Sequence, residues 1–219
     1  MILMKNIVFI APPAAGKGTQ SLLLKEKYHL AHISTGDLLR KASQEESERG
    51  YFIKEVLQKG QLVSDEITLE LLTERLKEKD CENGYILDGF PRNVKQALAY
   101  ENVLRELGKD LGYVFFLDCP KELLKKRIVG REICPNCGAV FNSLIKESKP
   151  SVEGVCDRCS HTLVKRKDDN EETFDARYDI YMKQTEPLIH HYRSLGVLHT
   201  IKEEDKDAVF KKIEEIIHE

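Results

Sequence analysis

Short apolar runs alternate along the chain with longer stretches of helical period. Lys5–Ile10, Gly84–Leu87, Tyr113–Leu117 and Gly196–Ile201 are brief runs rich in β-branched and aromatic residues, and His32–Ser34 is a shorter one. Bounded by loop formers and apolar on successive positions, such runs read as strands buried on both faces of a parallel sheet. Between them fall helices over Gly18–Tyr28, from Ser64 to about Lys79 with Leu69, Leu72 and Leu76 on one face, and over Asn93–Leu107. Ser34 or Thr35 caps a further helix start, Glu45–Lys59 reads as two short helical pieces, and Pro120 opens a helix at its first turn. On that last helix Arg127 and Arg131, four apart, would share a face. A long helix from about Glu172 to Leu195 and a charged amphipathic helix complete the pattern. Strands alternating with helices predict an α/β fold with right-handed crossovers and helices on both faces of the sheet.

The junction of the first strand and helix is where chemistry is first expected. Ile7–Gln20 runs from strand to tight loop to helix start, and Gly16-Lys17-Gly18-Thr19 opens the helix. Backbone N–H groups, the positive end of the helix dipole and a lysine charge converge there, an arrangement suited to the phosphates of a nucleoside triphosphate. The strict pattern G-x-x-x-x-G-K-[ST] is not met, because Ala11 stands at the first glycine position and Gly18 separates Lys17 from Thr19. Asp88, at the carboxyl end of the strand that starts at Gly84, is either a magnesium-organising acid or one half of a turn-forming Asp-Gly pair.

At Cys134 the pattern changes. Cys134, Cys137, Cys156 and Cys159 form C-x2-C-x18-C-x2-C around a Ser-, Lys-, Pro- and Gly-rich segment. Four thiolates at this spacing predict a closed tetrahedral zinc site that staples a loop too small to own a core, and four closed ligands leave no open catalytic position. Cys81 and Cys119 have no such partners and read as small buried apolar residues. His190 and His191 are neighbours and so face different directions, a poor ligand pair.

Bulk properties narrow the setting. The 219 residues are 41% hydrophobic and 32% charged, with a formal net charge of −3. That balance gives no global attraction to nucleic acid or anionic lipid, so any polyanion must meet local clusters of Lys and Arg. No apolar run approaches the roughly 20 residues of a membrane span, and the opening Met1–Lys5 is too short for a signal-peptide core. A reducing, cytoplasmic setting is expected, with the cysteines serving metal or core.

With these segments in place the sequence resembles the adenylate kinases in their long-lid, zinc-containing bacterial form. The resemblance covers nearly the whole chain. It rests on Pro13–Gln20, Ser34–Arg40, Leu87–Arg92, Arg127–Arg131, the four-cysteine insert and Arg166-Lys167-Asp168-Asp169, in the family's order. It implies a P-loop nucleoside monophosphate kinase fold, a parallel five-stranded core (1–33, 64–131 and 169–219) with two mobile inserts. One insert, 34–63, would receive the monophosphate; the other, 132–168, would be the zinc lid. The implied reaction is reversible, Mg²⁺-dependent phosphoryl transfer from ATP to AMP, giving two ADP, by a monomer.

By the same resemblance, Ala14, Ala15, Gly16, Lys17, Gly18, Thr19 and Arg127 would hold ATP. Arg92, Arg127, Arg131, Arg166 and Arg177 would join Lys17 around the transferring group. Thr35, Arg40, Gln61, Leu62, Val63, Gly89, Arg92 and Gln96 would bind AMP, with Arg40 on its phosphate and Gln96 on its adenine. Thr19 and Asp88 would serve magnesium, while Asp168 and Asp169 match lid acids that meet the other insert or its arginines on closure. Ala11 and Ala14 depart from the family's glycines. Wherever that backbone is left-handed, alanine costs roughly 1–2 kcal/mol. Glu203 departs from a glycine beside the donor base. Rival readings are a kinase for another monophosphate or for GTP, a non-catalytic nucleotide sensor, and a zinc-ribbon nucleic-acid binder, the last needing more basic surface than Lys146, Lys149 and Arg158 provide.

Overall fold

A computed structural model describes residues 5–59, 63–165, 169–202 and 205–219. Gln61, Leu62, Arg166, Asp168 and Glu203, all singled out above, lie outside the described residues. Five parallel strands, β1 (Ile7–Ile10), β2 (Ala31–Ser34), β3 (Tyr85–Asp88), β4 (Tyr113–Leu117) and β7 (Leu198–Ile201), form one sheet in the order β2-β3-β1-β4-β7. The five expected strands are therefore present, each within a residue or two of its expected bounds.

The period-two alternation of these strands builds two cores. Val8, Ile10, Ile33, Leu87, Val114 and Phe116 face one way, onto α4 (Asp65–Leu76), α5 (Val94–Glu106) and α8 (Glu186–Ser194). Ile7, Phe9, Ile86, Phe115 and Leu117 face the other, onto α1 (Lys17–Tyr28), α6 (Lys121–Val129), α7 (Glu171–Gln184) and α9 (Lys206–His218). The central strands β1, β3 and β4 are buried on both sides, which explains their near-continuous apolar runs, while the edge strands β2 and β7 carry His32, Ser34, His199 and Thr200. Cys81 and Cys119 are buried, as expected of small apolar residues. His191 is hydrogen-bonded to Glu101 at 2.7 Å, and His190 is exposed.

Three local expectations are corrected. The long C-terminal helix is two, α7 and α8, meeting at Thr185. Pro187 sits in the first turn of α8, where its missing N–H is harmless but its ring forbids continuous helix from the preceding turn. The segment 45–59 holds one helix, α3 (Glu48–Gln58), whose start is fixed by the Ser47 hydroxyl accepting from Gly50 N–H at 3.0 Å. It follows α2 (Thr35–Ala42), capped by Ser34.

The third correction concerns Arg131, which does not share a helical face with Arg127. The helix stops at Val129, and Arg131 begins β5 (Arg131–Ile133), which pairs antiparallel with β6 (Val140–Asn142). The residue at this stop, Gly130, is closely packed: an added Cβ would lie 2.2 Å from the Asn142 Oδ1 atom and 2.9 Å from Leu144. Asn142 cannot yield, since its Nδ2 donates to the Arg127 carbonyl at 2.8 Å and its Oδ1 accepts from Leu144 N–H at 2.9 Å. Gly130→Ala is therefore expected to destabilise the β5–β6 hairpin by about 1–3 kcal/mol. Faster amide exchange across residues 131–142, with the five-stranded core unchanged, would be the signature.

Candidate active site and metal centre

The loops leaving the carboxyl ends of β1, β2, β3 and β4 gather at one edge of the sheet, beside β1, where the connections turn to opposite sides. Ligands of open α/β sheets bind at such an edge. The loop after β1 folds back through Ala15 N–H donating to the Pro12 carbonyl at 3.3 Å. Ala14 at φ 65° and Gly16 at φ 95° are both left-handed. Gly16 caps α1 with no side-chain partner, and the first turn of α1 carries no acid. Its N–H groups are thus left to an external anion. Cβ atoms added at Gly16 or Gly18 would meet nothing within 4 Å, so both backbones face open space.

Of the two alanines that depart from the glycine pattern, only Ala14 takes the strained conformation; Ala11 is not among the positive-φ residues and is buried. The Ala14 methyl packs partly against the α1-side core, which offsets some of the strain.

Lys17 Nζ lies 3.7 Å from Asp88 Oδ1, and both side chains keep partial solvent access. Register sets this pair, because Phe9 and Ser34 are each opposite Asp88. On its other side Asp88 Oδ2 is 3.9 Å from His32 Nε2, a buried nitrogen without a hydrogen-bond partner. Burial lowers the His32 pKa, opposed by the nearby Asp88 charge. No motif or spacing marks His32; its period-two relation to Ser34, which neighbours Asp88 in register, is the signal the sequence carries.

A second group forms around the β3 loop. The Gly89 carbonyl accepts from Thr35 Oγ1 at 3.2 Å and from Arg92 Nε at 2.9 Å. Thr185 Oγ1 donates to the Arg92 carbonyl at 2.9 Å, so the break between α7 and α8 also supports this loop. Gln96, one turn into α5, accepts at Oε1 from Arg92 N–H at 2.6 Å and donates from Nε2 to Asp65 Oδ1 at 2.6 Å. Burial lowers the Arg92 pKa, with Asp88 opposing. Thr35, Gly89, Arg92 and Gln96 are thereby one cluster. Val63 packs nearby in a small core with Ala42, Ile53 and Leu71.

The remaining cations stand differently. Arg40 is exposed, and its guanidinium pairs with Asp37 one turn back. Arg127 lies in the last turn of α6, 3.7 Å from Cys119 Sγ, and Arg177 is half-buried on α7. Arg131 makes a two-pronged ion pair with Asp169, from Nε at 2.7 Å and from Nη2, and the Asp169 side chain is almost fully enclosed. That pair joins the start of β5 to the residues preceding α7, the two places where the four-cysteine unit leaves and rejoins the core. Arg158, between Cys156 and Cys159, bonds Glu26 of α1 at 2.6 Å.

The four thiols of Cys134, Cys137, Cys156 and Cys159 all lie within 4.8 Å of one another. The Cys134–Cys159 and Cys137–Cys156 sulfur pairs are 3.4 and 3.6 Å apart. A tetrahedron with metal–sulfur bonds of about 2.3 Å has sulfurs about 3.8 Å apart, so the donor set fits a four-thiolate metal. Within this shared thiol set the His161 backbone N–H and Asn136 lower the Cys159 pKa while that of Cys137 is raised, so the geometry of the four sulfurs is what fits a metal. Among the described residues, the apolar side chains buried around these sulfurs besides cysteine are Ala139 and Leu163.

Sheet order, anion loop and carboxyl-edge cluster together define a phosphate-binding α/β protein that handles nucleotides. The adenylate kinase family profile matches residues 9–197. The chain is 45% identical over 213 residues to the adenylate kinase of Clostridium tetani, covering 97% of this chain and 98% of that one. The same identity and length relate it to the adenylate kinase of Thermosipho africanus, and 44% identity over 213 residues to that of Bacillus cereus. The chain belongs to the adenylate kinase family.

Two outcomes are expected. Relieving the left-handed alanine, Ala14→Gly should stabilise the fold by about 0.5–1 kcal/mol, read as a higher melting temperature, whereas Ala11→Gly should not. Removing the metal with a chelator should unfold the four-cysteine unit, whose own core is too small to hold it, and expose 134–164 to exchange or proteolysis while the five-stranded sheet stays protected.

Proposed function

We propose that this chain catalyses the reversible transfer of a phosphoryl group from ATP to AMP, giving two ADP. The observation that carries the reading is the placement of two polar clusters at one sheet edge: the cationic loop of Lys17 and Gly16–Thr19, and the Thr35–Gly89–Arg92–Gln96 pocket. Phosphoryl transfer requires positioning and charge neutralisation more than covalent chemistry. The loop amides of Ala14–Thr19 and Lys17 hold the donor phosphates. Arg92, Arg127, Arg131, Arg166 and Arg177 neutralise the charge on the transferring group, and Arg40 exchanges Asp37 for the acceptor phosphate. Gln96 meets the acceptor base, beside Thr35 and the backbone of Gln61–Val63.

Thr19 and Asp88 would hold Mg²⁺, which neutralises charge on the donor phosphates. A half-buried carboxylate beside Lys17 fits that role. The four thiolates hold structural Zn²⁺, since a closed all-sulfur tetrahedron suits that ion. Residues 34–63 act as the acceptor insert and 132–168 as a lid, hinged where Arg131 and Asp169 meet. Completing the cluster only on closure keeps water from the transferring group. Among the described residues no helix is long and apolar enough to cross a membrane. We place the enzyme in the cytoplasm, as a monomer. The pairing of Arg158 with Glu26 removes a cation that a nucleic-acid-binding ribbon would use.

A coupled assay of ATP with each of AMP, CMP, UMP and GMP tests the reading. Rapid ADP formation with AMP alone is expected, reduced by orders of magnitude in Lys17→Met and Arg92→Ala. No ADP from ATP and AMP with folded, metal-loaded protein would overturn it.

A further inference from the structure

Gln96 is held in one orientation by two partners of opposite polarity. A side-chain amide has two N–H donors and two carbonyl lone pairs, and its ends can be exchanged by a half-turn. Here the backbone N–H of Arg92 faces Oε1 at 2.6 Å and the Asp65 carboxylate faces Nε2 at 2.6 Å. A backbone N–H can only donate, and an ionised carboxylate can only accept. Turning the amide over would set N–H against N–H and oxygen against oxygen in a side chain that is only 9% exposed. Each of those contacts leaves a polar group without its bond, the costly case for buried groups.

After these two bonds, one N–H and one carbonyl lone pair of Gln96 remain, and their order is fixed. Adenine presents an acceptor, N1, beside a donor, its 6-amino group. Guanine and hypoxanthine present the reverse, an N1–H beside an O6 acceptor. For a purine ring seated with its 6-position toward Oε1 and N1 toward Nε2, only the first matches the orientation the two partners impose; in that same seat the second needs the turned amide.

We propose that Asp65 is a specificity-determining positioning residue: its carboxylate locks the Gln96 amide so that the acceptor site takes 6-aminopurine and rejects 6-oxopurine nucleoside monophosphates. Asp65 acts through Gln96 and does not itself touch the base. The residue is suited to the task by its place in the first turn of α4, immediately after Ser64, whose hydroxyl caps that helix. Among the described residues the cation paired with it is Lys95, 4.0 Å away and largely exposed, which leaves the carboxylate available to Gln96. The proposal rests on the reading of Gln96 as the contact to the acceptor base.

The test is steady-state kinetics of the metal-loaded enzyme with ATP and, in turn, AMP, GMP and IMP. Asp65→Asn is the main variant, because it keeps size and shape but offers Gln96 either a donor or an acceptor; Asp65→Ala removes the partner. In both, the ratio of kcat/KM for AMP over GMP and IMP is expected to fall, by about tenfold in Asp65→Ala and less in Asp65→Asn. The AMP KM should rise severalfold while kcat, the ATP KM and the melting temperature stay near the parent's. In a Gln96→Ala background, Asp65→Asn should have no further effect on that ratio. A merely structural role at the start of α4 would instead lower the melting temperature or disturb both KM values with the ratio intact, and that result overturns the proposal. An unchanged ratio in the Asp65 variants, with Gln96→Ala altering it, also overturns the proposal while leaving Gln96 as the base contact. An unchanged AMP KM and ratio in Gln96→Ala would overturn the reading of Gln96 itself.

Discussion

The structure depends on how the chain leaves β1. A central parallel strand, buried on both faces, must release its backbone, reverse within a few residues and enter α1 with unpaired N–H groups pointing outward. That reversal takes two left-handed residues, Ala14 and Gly16. Glycine meets the requirement without strain, and alanine meets it at a cost. Because β1 lies between β3 and β4, the same reversal sets the loop beside Asp88 and the cluster that follows it. Every other functional group is placed by its relation to this point.

The acceptor side uses a different device. Where the donor loop presents bare backbone, the pocket around Gly89 is a network of side chains whose partners are already chosen. Thr35 and Arg92 share the Gly89 carbonyl, Thr185 supports Arg92 from α8's start, and Gln96 is clamped between Arg92 and Asp65. A backbone cradle recognises charge and is tolerant of what carries it; a clamped amide recognises the polarity of one base edge. The two ends of the site thus differ in physical basis. The four-cysteine unit is held together by its thiolates, linked to α1 through Arg158 and Glu26, and tied at its crossings by the Arg131–Asp169 pair. Breaking such an enclosed pair leaves an uncompensated charge, so the two crossings are tied together.

Much of this was legible from local pattern. The central strands were readable because both faces are buried, and the metal ligands because cysteine spacing encodes a tetrahedron. The loop at Gly16–Thr19 was readable because a strand, tight turn and helix start can be recognised in a dozen residues. Less legible were events where one element answers to another. Arg131 carried the spacing of a helical partner to Arg127, yet the helix ends at Val129 and Arg131 starts a strand whose partner, β6, brings Asn142 against Gly130. The break at Thr185 had a local cause in Pro187, but its use, a hydrogen bond to the Arg92 carbonyl, did not.

By itself, then, the sequence determined the alternation of strands and helices, the anion loop, the thiolate set and the family resemblance. Each is encoded by residues near one another in the chain, through hydrophobic period, turn chemistry or ligand spacing. Tertiary structure alone decided which alanine is strained, that Arg131 serves Asp169, that His32 lies beside Asp88, and that Asp65 fixes Gln96. The last three depend on strand register and on contacts between side chains 31 to 56 positions apart, as Asp65–Gln96, Arg131–Asp169 and His32–Asp88 are. Local propensity carries no information about such distances until the sheet has brought the elements together.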